Sequence, residues 1–146
     1  MEDFKIKTFR SEYNFDFPFY KSLSEGESSA LIKNIAEKYN VTESDIEKEL
    51  ALKQSFYEDS SALEGFELTY LLFKIGIKPR SRILVNWYQF KNVDKYNIDD
   101  FDKYFYDIWF PVAEDIDIFD ESLNWILSIR HDGCISFIKL SQLIFT

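Results

Sequence analysis

Residues 125–138 read Trp125-Ile-Leu-Ser-Ile-Arg-His-Asp-Gly-Cys-Ile-Ser-Phe-Ile138. Two apolar runs flank Asp132-Gly133, the pair favoured by a two-residue type I′ turn, in which both central positions need φ > 0. The spacing predicts a β-hairpin in which His131 faces Cys134, Ile129 faces Ser136 and Leu127 faces Ile138. An antiparallel hairpin so late in the chain, behind segments with helical periodicity, sets the fold class. The chain reads as α+β, with N-terminal helices packed on one face of a mainly antiparallel sheet that ends in this C-terminal β-hairpin.

Working back from the hairpin, Asp115-Ile-Asp-Ile-Phe119 alternates. A period of two points Ile116 and Ile118 inward and Asp115 and Asp117 outward. Residues 81–90, SRILVNWYQF, are β-branched and aromatic and follow a turn signal. Their apolar character on both faces predicts a central strand covered by helices. Between these strands Asn97 caps a short helix, with Asp99 and Asp100 in its first turn, where the helix dipole favours acids. Phe101 and Phe105 recur at i and i+4 and face inward, Trp109 at i+8 suits either that face or the surface, and Pro111 ends the run.

Three helices are predicted further upstream. Ser24 with Glu27 forms a capping box before Leu31, Ile35, Ala36 and Tyr39. Thr42 with Asp45 caps a second helix, on which Ile46, Leu50 and Tyr57 share a face. Ser61 with Glu64 opens a third, carrying Leu63, Phe66, Tyr70 and Leu71 on one face, widened by Leu68, Leu72 and Ile75; Gly76 sits at its C′ position and Pro79 stops it. At the N-terminus, Phe4 and Ile6 alternate with Lys5 and Lys7 as in a short strand. Tyr13, Phe15, Phe17 and Phe19 alternate too, but Pro18 restricts that run to an edge strand or an extended arm. The final SQLIFT suits a helical turn or a last strand.

The length of 146 residues suits one domain, 1–146, with no internal repeat or low-complexity linker. An apolar share of 46% with 18% aromatics argues for a packed core rather than disorder. A single cysteine excludes an internal disulfide and points to a reducing compartment, the cytoplasm. The first ten residues contain no apolar core of a signal peptide, and no apolar run approaches the ~18 residues of a membrane span. A net charge of −9 argues against general nucleic-acid or anionic-membrane binding.

That charge is concentrated. Residues 94–121 hold ten acids and two bases, whereas residues 68–93 hold five bases and no acid. The acidic block also carries aromatics, which describes either solvent cover over a core or a surface that meets a basic partner. As a surface, its residues would be Asp99, Asp100, Asp102, Tyr104, Asp107, Trp109, Glu114, Asp115 and Asp117, with carboxylates for steering and rings as desolvated anchors. The basic segment could absorb part of that field internally.

Other chemistry is thinly represented. The predicted hairpin makes His131 and Cys134 cross-strand neighbours, the arrangement of a thiolate with its base, but no third orienting group or oxyanion donor accompanies them. Asp115, Asp117, Asp120 and Glu121 are interleaved with apolar residues and lack the glycine bend of a calcium loop, so no metal is expected. Lys74, Lys78, Arg80, Arg82 and Lys91 lie near Trp87, Tyr88 and Phe90, an echo of a nucleic-acid surface. Those aromatics belong to the strand predicted to be buried, and the bases suit a helix C-terminus. No phosphate-cradling glycine loop is present, and no cofactor is implied.

The expectation is therefore a non-enzymatic acidic protein-binding module, most concretely an immunity or inhibitor protein that occludes a basic toxin or nuclease. Two alternatives stand beside it. One is a structural or regulatory domain without a ligand, monomeric or a homodimer joined through the aromatic arm at residues 13–19. The other is a small hydrolase with paired carboxylates of divergent proton affinity.

Overall fold

The computed structural model describes residues 1–18, 20–111 and 113–140. In chain order the elements are α1 (Asp3–Tyr13), β1 (Tyr20–Ser22), α2 (Glu25–Tyr39), α3 (Ile46–Leu52), β2 (Ser55–Tyr57) and α4 (Leu68–Lys74). Then follow β3 (Arg82–Tyr88), β4 (Asn92–Asn97), α5 (Ile98–Lys103), α6 (Phe105–Ile108), β5 (Ile116–Phe119), β6 (Trp125–Ile129) and β7 (Ile135–Lys139). The strands form one seven-stranded sheet in the order β1-β4-β3-β5-β6-β7-β2, and every pairing is antiparallel. The mixed α+β class, the antiparallel sheet and the C-terminal hairpin are as the sequence predicts.

Helices cover both faces of that sheet rather than one. Ile83, Val85, Ile116, Ile118, Leu127 and Ile129 point to a core shared with Phe9 of α1, Leu68 and Leu72 of α4, Phe101 of α5 and Phe105 of α6. The alternate residues Leu84, Val93, Phe119, Ile126 and Ile138 pack against Leu31 and Ile35 of α2 and Ile46 and Leu50 of α3. The two-sided apolar run at 81–90 is thus a strand sandwiched between helix layers. The capping box of α2 forms as read, Ser24 Oγ accepting from the Glu27 main chain and the Glu27 carboxylate accepting from Ser24. Asn97 caps α5, and Gly76 has the positive φ of a helix terminator.

Four local readings are corrected. Residues 4–7 are helical, because Phe9 and Tyr13 extend the pattern at helical spacing and the buried face of α1 is Lys5 and Phe9, four apart. Helix α3 stops at Leu52, so Tyr57 belongs to β2; Thr42 bonds the Glu49 carboxylate instead of capping jointly with Asp45. The third helix begins at Leu68, not at Ser61, because its orphan N–H groups are met from outside, by Asp102. The aromatic arm is divided: Tyr13 ends α1 and Phe17 is buried against Phe9 and Tyr96. The edge strand of that region, β1, begins only at Tyr20. The readings of Phe19 and of SQLIFT at 141–146 lie outside the described residues.

The hairpin itself slips by one residue. Ile129 faces Ile135, Ser128 faces Ser136 and Leu127 faces Phe137. The loop is His131-Asp132-Gly133: Gly133 N–H donates to the Arg130 carbonyl at 2.8 Å, and only Gly133 of the three has positive φ. This is a turn followed by a left-handed glycine, the common three-residue hairpin. A one-residue slip exchanges faces along a whole strand. The observed register segregates Ser128 and Ser136 onto one face and Ile129 and Ile135 onto the other. Gly133 is fixed twice over, since a Cβ there would lie 2.4 Å from Ser61 Oγ and 2.7 Å from Leu63 Cγ.

Candidate functional site

The slip dissolves the thiol–imidazole pair. His131 turns to β5, where its main-chain N–H and ring Nδ1 lie 2.7 and 2.9 Å from Asp115 Oδ1. Burial pushes the Asp115 carboxyl up, but the His131 ring and main-chain bonds and nearby Arg130 outweigh it, so the group sits below its ordinary value. Cys134 is exposed, and its bond to the Asp132 carboxylate pushes the thiol up, away from a reactive thiolate.

The acidic block proves to be largely internal wiring. Asp94, fully buried, holds the Met1 ammonium and accepts from Ser22 Oγ at 2.8 Å. Asp102 caps α4 across space, accepting from Leu68 N–H at 2.7 Å and Thr69 N–H at 3.1 Å. Asp107 accepts from the Tyr13 hydroxyl at 2.7 Å, and that bond pushes the phenol up to about 12. Glu114 takes Lys5 Nζ on both oxygens, at 2.7 and 2.6 Å, and the Phe110 N–H at 3.0 Å. Asp120 accepts from Arg80 N–H and Trp125 Nε1, and Glu121 pairs with Lys95, which holds its carboxyl low.

Asp117 departs most from its reading. It is buried, not outward, because α2 and α3 cover the second face of the sheet. It accepts from Asn86 Nδ2 at 3.0 Å and Ser128 Oγ at 2.6 Å, with Arg130 at 3.6 Å. Gln54 then donates to Ser128 Oγ and accepts from Ser136 Oγ, so a polar chain links four strands, β3, β5, β6 and β7, inside an apolar layer. Each buried polar group in it has a partner, which is what makes such a chain tolerable at low dielectric.

The two rings of the expected surface are not on it. Trp109 is fully buried, stacked on Phe105 at 5.2 Å and donating Nε1–H to the Glu114 carbonyl. Tyr104 is buried edge-on against Phe9 at 4.9 Å. Of the seven acids among the nine, only Asp99 and Asp100, in the first turn of α5, have no side-chain hydrogen bond or ion pair among the described residues.

Glu114, Asp115 and Asp117 do converge, on an open cleft of about 660 Å³ at the end of β3. Around it stand Glu47 of α3, Phe4 of α1, Tyr88 at the β3–β4 turn, and Arg130. Tyr88 and Phe4 are 61% and 49% exposed. The wall shows how the site treats a cation: Lys5 Nζ, itself 1% exposed, sits 4.0 Å from the Trp87 ring centre, 5.2 Å from that of Phe110, and against Glu114. Carboxylate plus aromatic face is a strong cation receptor once water is excluded. Glu47, Phe4 and Arg130 escape the sequence reading because only tertiary folding brings them to β3; Tyr88 falls in the run that reads as a buried strand, but it lies at the strand's exposed end.

Asp115, Asp117, Asp120 and Glu121 go to separate partners, and among the described residues no group of three or more His, Cys, Asp or Glu side chains is placed to hold a metal ion. The bases at 68–93 do not form a stripe with the aromatics, since Phe90 is buried and Lys74 lies over Tyr70 on α4. Among the described residues no helix is long and apolar enough to cross a membrane. No family model, curated protein or solved structure matches the chain.

Proposed function

We propose that this chain is a non-enzymatic binding protein, most concretely an immunity or inhibitor protein that occludes a basic toxin or nuclease. The observation that carries the reading is the cleft at the end of β3, where the carboxylates of Glu47 and Asp115 meet the exposed rings of Phe4 and Tyr88, and where Glu114 and Asp117, held by internal partners, line the wall. A lysine or arginine presented by a partner would find there the carboxylate and ring chemistry that already holds Lys5. The net charge of −9 would steer a basic partner in, and the aromatics would supply contact area once water leaves.

On this reading the docking surface is the cleft rather than the outer face of α5. The chain would act in the cytoplasm, where a free thiol such as Cys134 is at home. The carboxylate-hydrolase alternative has less support, because Glu114 is committed to Lys5 and Asp117 to Asn86, Ser128 and Arg130.

The test is to look for a basic toxin domain in the neighbouring reading frames and to titrate it calorimetrically against this chain. The expected result is a stoichiometric complex that abolishes toxin activity and weakens as salt rises, the Debye length falling from ~10 Å at 0.1 M to ~3 Å at 1 M. Tyr88→Ala combined with Glu47→Gln should weaken it at least about tenfold. Absence of binding at low salt overturns the proposal.

A further inference from the structure

The cleft at the end of β3 treats its two internal cations differently. Lys5, behind one wall, is buried with Nζ 2.6 Å from Glu114. Arg130 is the one basic side chain among the described residues that lines the open space, together with Glu47, Asp115 and Asp117. Its guanidinium stops 3.6 Å from Asp117 Oδ1, too far for a hydrogen bond, and its side chain is 35% exposed. The ammonium is held tightly and the guanidinium loosely. Resting on the reading that this cleft receives a basic partner, we infer that Arg130 stands in for an arginine of that partner, whose guanidinium displaces it beside Asp117.

The acceptors suit that exchange. An ionised carboxylate has about four lone-pair sites. Asp117 gives one oxygen to Asn86 Nδ2 and the other to Ser128 Oγ, so each oxygen can accept a further donor. A planar guanidinium presents parallel N–H groups to such a pair of oxygens, whereas an ammonium is a point charge. The exchange also costs no ion pair, because Asp117 keeps a guanidinium throughout and its two hydrogen bonds are untouched.

The shape of the site agrees. Arg130, Asp117 and Glu47 also line a smaller cavity of about 30 Å³, set against Leu50, Gln54 and Phe90. These three side chains are the common wall of both spaces, and moving Arg130 outward deepens the cleft at Asp117. The exposed rings of Tyr88 and Phe4 offer faces on which a guanidinium stacks. Glu47, Asp115 and Asp117 against one guanidinium leave the floor negative, which favours an incoming cation.

The test titrates Nα-acetyl-arginine amide and Nα-acetyl-lysine amide at low salt. The reporter is the Trp87 indole N–H resonance, because Trp87 lines the cleft and its Nε1 has no hydrogen-bond partner among the described residues. The arginine probe should shift it saturably, and the lysine probe should bind about fivefold more weakly or worse. Arg130→Gln should tighten the arginine probe about tenfold, since the competing guanidinium is gone, and the lysine probe less. Glu47→Gln, at an exposed position of α3, should weaken the arginine probe about threefold or more. Where Arg130→Gln does not fold, the arginine preference of the wild-type chain and its weakening by Glu47→Gln decide the matter. Arginine bound no better by Arg130→Gln than by wild type overturns the inference, as does equal binding of the two probes or a Glu47→Gln variant without effect. Those failures leave the binding of a basic partner standing, which fails only when the partner itself does not bind.

Discussion

Residues 94–121 and residues 54–67 are both acidic and both contain aromatics, but the fold treats them differently. In the first, more heavily charged segment, every acid except Asp99 and Asp100 is held by a cation, a hydroxyl or a main-chain N–H within the chain. Its rings Phe101, Phe105 and Trp109 are in the core. In the second, Glu58, Asp59, Glu64 and Glu67 form no ion pair among the described residues, no base lies among them, and Phe56 and Leu63 are exposed. Charge density along a sequence thus measures neither exposure nor availability. An acid beside buried aromatics is placed where main-chain donors and cations emerge from the core, and it is drawn into satisfying them.

The Lys5–Glu114 pair gives the strongest lever on this contrast. Lys5→Met leaves a mostly buried carboxylate without its cation and should cost about 3 kcal/mol in urea unfolding. The double variant with Glu114→Gln should recover much of that, because removing both charges avoids the orphan. If Lys5→Met were neutral, the acidic block would be less integral than the geometry implies. Next in size, Asp102→Ala should cost about 1 kcal/mol, the usual worth of a helix N-cap, even though the capped helix lies more than thirty residues away in sequence. An unchanged midpoint would remove the cross-chain cap from the account.

A smaller effect is expected from pH. Asp115 is held below its ordinary value of 3.8, so its contribution to stability is present above that value and is lost as pH falls through the lower folded-state value. His131→Ala should make the acid limb of the stability curve shallower, with little change at neutral pH. An identical acid limb would show that the latch between the hairpin loop and β5 contributes nothing. Smallest of all, Asp99→Asn with Asp100→Asn should shift stability by no more than about 0.5 kcal/mol, since α5 is short and neither carboxylate has a side-chain partner among the described residues.

Much of the frame was legible in the sequence for local reasons. The capping box at Ser24 and Glu27, the Asn97 cap and Gly76 depend on neighbours a few residues away. The two-sided run at 81–90 predicts a strand covered by helices, whereas alternation puts both Asp115 and Asp117 outward, which holds for Asp115 and fails for Asp117. Alternation separates Asp117 from Ile116 and Ile118; it does not say that α2 and α3 cover the Asp117 side. Asp132-Gly133 marked the hairpin correctly while leaving its register open, because one left-handed glycine serves a three-residue loop as well. The Asp102 cap and the cleft residues Glu47 and Phe4 join elements remote in sequence, and no local pattern encodes them.

The sharpest test compares two neutralisations by urea unfolding side by side. One is Asp117→Asn alone. The other removes Glu58, Asp59, Glu64 and Glu67 together as Gln, Asn, Gln and Gln. The single change should cost about 2 kcal/mol or more, because the Asn86 amide and the Ser128 hydroxyl lose a buried charged acceptor. The four changes together should alter stability by less than about 1 kcal/mol. A harmless Asp117→Asn beside a damaging quadruple change would contradict the assignment of the denser acids to the fold and the sparser ones to the surface.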